Sequence, residues 1–321
     1  MLPRRVLAAL LLASRADALS TASVLRKISP LHVDRYEREG VVVVRGLIDA
    51  DAVELLRREV DGAVAEPGPH AEDLAPGGTG KSYFTDLELS TRRPALRAFA
   101  AEGSAACAAA LLMKSRTSTF LYDQLFVKHA RDPAAAAAAT VFHQDAPYWS
   151  VEGSQIASVS IALDDVDERD CLDFLPGTHR LPEFQPVHFA SGEPYESESP
   201  LPTLDVAALG GPRARFDLSP GDAVVFDGRL VHGGAGSFGR ALVLRFVGDD
   251  VVISRARFDS GRCAIPTRDP VGLADGAPLA DHVDFPVCYV DPFFGKRGAA
   301  PVSVLEWSKG KAVNEERGDF S

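Results

Sequence analysis

Cysteine is scarce in this chain of 321 residues, and no two of Cys107, Cys171, Cys263 and Cys288 form a CxxC pair. Their wide spacing signals neither a zinc knuckle nor a disulfide framework. Small buried hydrophobes are the simpler use for them. Basic charge is also in deficit, with a net charge of −11 and a pI near 5.2. Binding a phosphate backbone needs a lysine- and arginine-rich surface, so no nucleic-acid partner is expected. Past the N-terminus the chain has no run of 18 apolar residues, and no stable membrane insertion is expected. No internal repeat is visible, and nothing in the chain bears on its oligomeric state.

Apolar residues make up 46% of the chain and charged residues 25%, and the mean hydropathy is near zero, as in an ordinary globular protein. The start, "MLPRRVLAALLLASRADALS", has a basic end, a short apolar run and a small-residue stretch at Ala16-Asp17-Ala18. That order resembles a secretory signal over residues 1–18, the alternatives being an organelle transit peptide or a plain N-terminal helix of a cytoplasmic protein. Residues 30–295 read as one domain and residues 296–321 as a C-terminal tail.

Within the domain, "DRYEREGVVVVRGLIDADAVELLRREVDGAV" predicts helix, strand, helix. Val41–Val44 is β-branched, and Asp49 is placed to cap a helix with Val53, Leu56 and Val60 on one face. From residue 117 onward, short β-rich runs alternate with Gly, Pro and Asp turns, the pattern of an antiparallel sandwich or barrel. Two segments break it. Residues 132–140, "DPAAAAAAT", read as an expanded loop, because six alanines are too few to hold a helix alone. Residues 185–215, rich in Pro, Ser, Gly and Glu, read as a lid or as a disordered loop.

"FHQDAPYW" sets His143 and Asp145 two residues apart. On a strand both would project from one face, and Gln144 would point elsewhere. Alone, such a pair is more simply a hydrogen-bonded stabiliser of a barrel mouth. His232, at the end of "SPGDAVVFDGRLVHGG", changes the reading, because antiparallel folding can bring it opposite the first strand. Two imidazoles and one carboxylate make the facial triad of non-haem iron(II), with three positions left for other ligands. The set has no thiolate, which disfavours a structural zinc site. A His2Asp zinc hydrolase, a cupin-type isomerase and a non-catalytic β-sandwich stay open at this point.

The blocks "TFLYDQLFVKHA", "VFHQDAPYW", "SVSIALDDVDERDCLDFLPGTHR", "LSPGDAVVFDGRLVHGG" and "RALVLRFVGDD" occur in the order and spacing of the phytanoyl-CoA dioxygenase family, and the chain resembles it over residues 30–290. The resemblance implies a mainly β fold with flanking α-helices, a cupin-like double-stranded β-helix or jelly roll. It further implies Fe(II) held by His143, Asp145 and His232, with 2-oxoglutarate as co-substrate, O2, and ascorbate as an accessory reductant. The implied activity is hydroxylation of a small organic substrate with release of succinate and CO2. Halogenating relatives lack the carboxylate ligand, and Asp145 is present here.

In this family an arginine holds the distal carboxylate of 2-oxoglutarate about eleven residues after the second histidine. A guanidinium suits that task because its fork meets a carboxylate with two charge-assisted hydrogen bonds. Arg240, eight residues after His232, is the first candidate, and Arg245, on the opposite face of the same strand, is the second. Gly234 stands where the family carries a serine that hydrogen-bonds the co-substrate. The resemblance also places Gln144, Trp149, Gln124 and Lys128 around the co-substrate. Trp149 equally suits core packing, and Lys128 an edge lysine that blocks strand pairing.

Overall fold

The computed structural model describes residues 21–75, 82–128, 138–189, 191–197, 199–234, 239–259, 273–281 and 285–290. The expected leader, most of the polyalanine segment and the C-terminal tail lie outside the described residues. Thirteen strands are present among those described: β1 (Val41–Val44), β2 (Glu72–Asp73), β3 (Tyr83–Leu87), β4 (Thr117–Lys128), β5 (Thr140–His143), β6 (Val151–Glu152), β7 (Ile156–Ala162), β8 (Asp173–Phe174), β9 (Ala223–Asp227), β10 (His232–Gly234), β11 (Gly239–Val247), β12 (Val252–Ile253) and β13 (Val287–Val290).

The main sheet runs β1-β9-β7-β11-β4-β3-β2, with β13 also paired to β4, and a second sheet runs β5-β10-β8. Their pairings are antiparallel throughout. The two sheets face each other in a cupin-like jelly roll, as expected.

Alternation along each strand gives the main sheet two different faces. Val42, Val44, Val159, Ile161, Val225, Leu242, Leu244 and Phe246 belong to the largest apolar core, which packs on helices. The helix Ala50–Ala65 contributes Val53, Leu56, Val60 and Ala63 to that core. Its N-terminus is capped as predicted, with the Asp49 carboxylate accepting from the Ala52 N–H at 2.8 Å. The helix Ser104–Met113 is buried on nearly all sides, which fits its Ala- and Leu-rich composition. The opposite face carries Ser158, Ser160, Phe226, Val243 and Arg245 and looks toward the second sheet. A cavity lies there.

The segment 185–215, expected to be a lid or a disordered loop, folds over the second sheet. The Gln185 side chain donates to the Tyr195 carbonyl and accepts from the Leu201 N–H, and the isolated bridges Val187–Pro194 and Phe174–Ala214 fix its two ends. The late segment 273–290 buttresses another side of the cavity: Leu273, Leu279 and Phe285 pack with Tyr122 and Trp149. No single helix among the described residues is long and apolar enough to cross a membrane.

Candidate metal centre

β5 and β10 are register partners at His143 and His232, which brings the two imidazole centroids to 4.3 Å. A Cβ on Gly233 would lie 2.7 Å from the Phe142 Cα, so only glycine lets β10 approach β5 so tightly. Asp145 arrives by a route different from the strand alternation expected of it. The chain leaves the strand at His143, Asp145 takes a helical conformation (φ −71°, ψ −44°), and a single 3-10 turn, Ala146–Tyr148, follows with Pro147 inside it. The Ala146 N–H donates to the Gly228 carbonyl at 2.7 Å and anchors the turn.

The outcome is a compact buried group. One ligand atom from each of His143, Asp145 and His232 lies within 4.8 Å of the others. Asp145 Oδ1 is 3.4 Å from His143 Nε2 and 3.9 Å from His232 Nε2. Each imidazole is oriented from behind in the same way: His143 Nδ1 lies 2.7 Å from the Val141 carbonyl and His232 Nδ1 lies 3.0 Å from the Leu230 carbonyl. A carbonyl oxygen can only accept, so Nδ1 carries the proton and each Nε2 lone pair faces the centre.

Burial, and then the neighbouring His143, push the His232 pKa down to about 4, so its ring is neutral at physiological pH. Burial works against ionisation of Asp145. The Arg245 guanidinium leads the interactions that outweigh it, and the carboxyl lies well below the usual carboxylate range. Two imidazoles, that of His232 neutral, and one carboxylate thus converge as a nitrogen and oxygen donor set for a divalent cation.

The remaining expected site residues divide. Arg245 is buried on the cavity face of β11, with Nε 3.6 Å from Asp145 Oδ2 and its Cζ 4.7 Å from the Tyr122 ring centroid. Its Nε and Nη1 have no hydrogen-bond partner. Arg240 lies on the helix side of the same strand. Its guanidinium donates to both Asp164 oxygens, at 2.9 and 2.7 Å, and to Asp61 Oδ1 at 2.9 Å. Its polar reach is spent on those carboxylates, away from the triad.

Gln144 needs correction as a cavity residue. Its amide donates to the Arg229 carbonyl at 2.7 Å and accepts from the Phe184 N–H at 2.9 Å, because the residue between two inward-facing ligands points outward. Trp149 does line the cavity, fully buried, with Nε1 donating to the Tyr122 hydroxyl at 3.0 Å. Gln124 lines it too and donates to Thr85 Oγ1 at 3.0 Å. Lys128 is buried at the far end of β4, donates to the Ala138 carbonyl at 2.5 Å, and sits 5.0 Å from the Tyr83 ring centroid. Burial pushes its ammonium down to about 8. It is no edge lysine.

Several residues at the centre had drawn no attention in the sequence. Ser158 Oγ lies 2.6 Å from Asp145 Oδ2 as its donor. The Tyr148 hydroxyl donates to the Val187 carbonyl and accepts from the Val187 N–H, at 2.7 and 2.9 Å, which ties the long loop to the ligand segment. Phe189, from that loop, sits edge-on to His143 with ring centroids 4.6 Å apart. For Ser158 a signal existed, since "SVSIA" puts hydroxyls at alternate positions of an otherwise apolar strand. Nothing local marked Phe189, because a long irregular loop delivers it.

The fold and the three converging ligands define a jelly-roll protein with a two-histidine, one-carboxylate metal centre. Residues 36–239 match the phytanoyl-CoA dioxygenase (PhyH) family, and the chain belongs to that family. Among solved structures, the epimerase SnoN from nogalamycin biosynthesis, in complex with Fe3+, alpha ketoglutarate and nogalamycin RO, is similar at 22% identity. The match covers 84% of this chain and 99% of that one, with a TM-score of 0.62. The carbocyclase SnoK from nogalamycin biosynthesis matches at 18% identity over 82% and 97% of the two chains, with a TM-score of 0.62. EctD from S. alaskensis, solved with 2-oxoglutarate and 5-hydroxyectoine, matches at 19% identity over 79% and 86%, with a TM-score of 0.55. Likeness at these identities establishes the fold. Comparison with curated proteins gave no match.

Proposed function

We propose that the protein is an iron(II)- and 2-oxoglutarate-dependent dioxygenase that hydroxylates a small organic substrate. The observation that carries this reading is the convergence of His143 Nε2, His232 Nε2 and Asp145 Oδ1 beside a buried arginine with two nitrogens that make no hydrogen bond. The residues fit iron(II): the donors are nitrogen and oxygen, both imidazoles have Nε2 free for a metal, and no thiolate is among them. Bound there, iron would supply the activation of O2 coupled to decarboxylation of 2-oxoglutarate to succinate and CO2.

The protein's own part is binding and orientation. Arg245 is the better anchor for the distal carboxylate of 2-oxoglutarate. It is 4% exposed, faces the triad, and has donor nitrogens to spare, whereas Arg240 is engaged by Asp164 and Asp61. A buried guanidinium with unmet donors is costly, and a carboxylate partner offsets that cost. Trp149 and Tyr122 flank the same guanidinium and exclude water from it. For the substrate, the described cavity wall, including Tyr83, Phe126, Phe174, Phe189, Leu218 and Phe226, is aromatic and aliphatic. That wall supports a compact, largely apolar molecule rather than a coenzyme A thioester.

The structural neighbours include an epimerase and a carbocyclase, so the centre is tested directly. Iron(II) and 2-oxoglutarate are added anaerobically to wild type and His143→Ala. A weak visible charge-transfer band, followed by succinate on admission of air, is expected in wild type alone. Persistence of both in the variant would sink the ligand assignment.

A further inference from the structure

Asp145 has two carboxylate oxygens, and the structure treats them differently. Oδ1 faces both histidine Nε2 atoms, at 3.4 and 3.9 Å. Oδ2 faces away from them, onto the Ser158 hydroxyl at 2.6 Å, with Arg245 Nε further off at 3.6 Å. Strand register arranges this, because Ser158 of β7 is the direct partner of Arg245 on β11 and of Phe226 on β9. Ser158 is fully buried, where a hydroxyl is tolerated only if hydrogen-bonded, and its partner is Asp145.

We infer that Ser158 is a positioning residue that holds the Asp145 carboxylate to binding a metal through Oδ1 alone. The inference rests on the metal-centre reading above and concerns what keeps the centre open. An Asp can bind a cation through one oxygen or both, and chelation through both consumes a second position. A hydroxyl hydrogen bond at 2.6 Å occupies Oδ2 and opposes the rotation that would turn it toward the metal. The three positions that a co-substrate and O2 require are thereby kept free. Arg245 serves this end less, since at 3.6 Å it lies outside hydrogen-bonding distance and its guanidinium is assigned to the co-substrate.

The test uses cobalt(II), whose visible absorption reports coordination number, in the full chain, with 2-oxoglutarate as the titrant. Wild type, Ser158→Ala and Ser158→Thr are compared, after thermal melting of each metal-free protein establishes that it is folded. In Ser158→Ala the cobalt spectrum is expected to change, and the affinity of the cobalt form for 2-oxoglutarate to fall about tenfold. Ser158→Thr, which keeps the hydroxyl, restores both. A Ser158→Ala protein with the wild-type spectrum and wild-type 2-oxoglutarate affinity overturns the inference while leaving the triad intact, as does a folded Ser158→Thr that behaves like Ser158→Ala. Failure of wild type to take up cobalt overturns this inference and the metal-centre reading together.

Discussion

The two faces of strand β11 carry one arginine each, and the two have opposite fates. Arg240 looks toward the helices and is closed into a network with Asp164 and Asp61. Arg245 looks into the cavity, more deeply buried, and holds two nitrogens without hydrogen-bond partners beside the triad. The helix face completes its polar groups internally and so contributes stability. The cavity face leaves donors unmet, which costs stability and is sustained where a ligand will complete them.

Breaking the cavity face at the triad should have the largest effect. His232→Ala is expected to abolish iron uptake and succinate formation, measured by metal content and product analysis, while the protein still unfolds cooperatively. On the helix face the largest loss is in packing: Leu244→Ala should lower unfolding free energy by about 2–5 kcal/mol in denaturant titrations. Its metal affinity should stay at the wild-type level.

The two arginines sharpen the comparison further. Arg245→Met should raise the KM for 2-oxoglutarate about 100-fold, as expected for loss of two hydrogen bonds to a charged group at about 1.5–3 kcal/mol each, less the relief of a buried charge. Arg240→Met should change that KM less than about twofold and cost no more than about 1 kcal/mol of stability, because its pairs are partly solvent-exposed. Equal KM effects from the two variants would erase the distinction between the faces.

The smallest effect is a pH dependence. Burial raises the Asp164 pKa, but the Arg240 hydrogen bonds and charge outweigh it and hold the carboxyl below its ordinary value. A depressed folded pKa means that the contribution is full at neutral pH and is lost as pH falls below about 4. The stability of Arg240→Met should therefore fall less steeply than that of wild type on acidification through that range, as read from urea midpoints.

Much of this was legible beforehand, for reasons particular to each element. Val41–Val44 is a β-branched run and the helix Ala50–Ala65 carries period-3.6 burial, both strong enough to read directly, and Asp49 marked the helix start. His143 and His232 were legible only together, because a histidine-aspartate pair and a second histidine on a strand able to pair with it make a ligand set that neither part signals alone. Asp145 was named for the right partner by the wrong geometry, since a 3-10 turn rather than strand alternation delivers it. The choice between Arg240 and Arg245 could not be made from spacing, because a change of one residue in the preceding connection exchanges the faces of every side chain on the strand. For Gln144, strand alternation pointed away from the cavity while the resemblance placed it there, and the structure spends its amide on backbone groups.

By itself the sequence determined which side chains could bind a metal and which strands would carry the two histidines, because ligand type and hydrophobic period are local properties. Tertiary structure alone decided which arginine faces the centre, that Ser158 occupies the second oxygen of Asp145, and that Phe189 closes over His143. Each of those depends on the register between strands far apart in the chain or on the path of a long loop, and neither leaves a signature in any short stretch of residues.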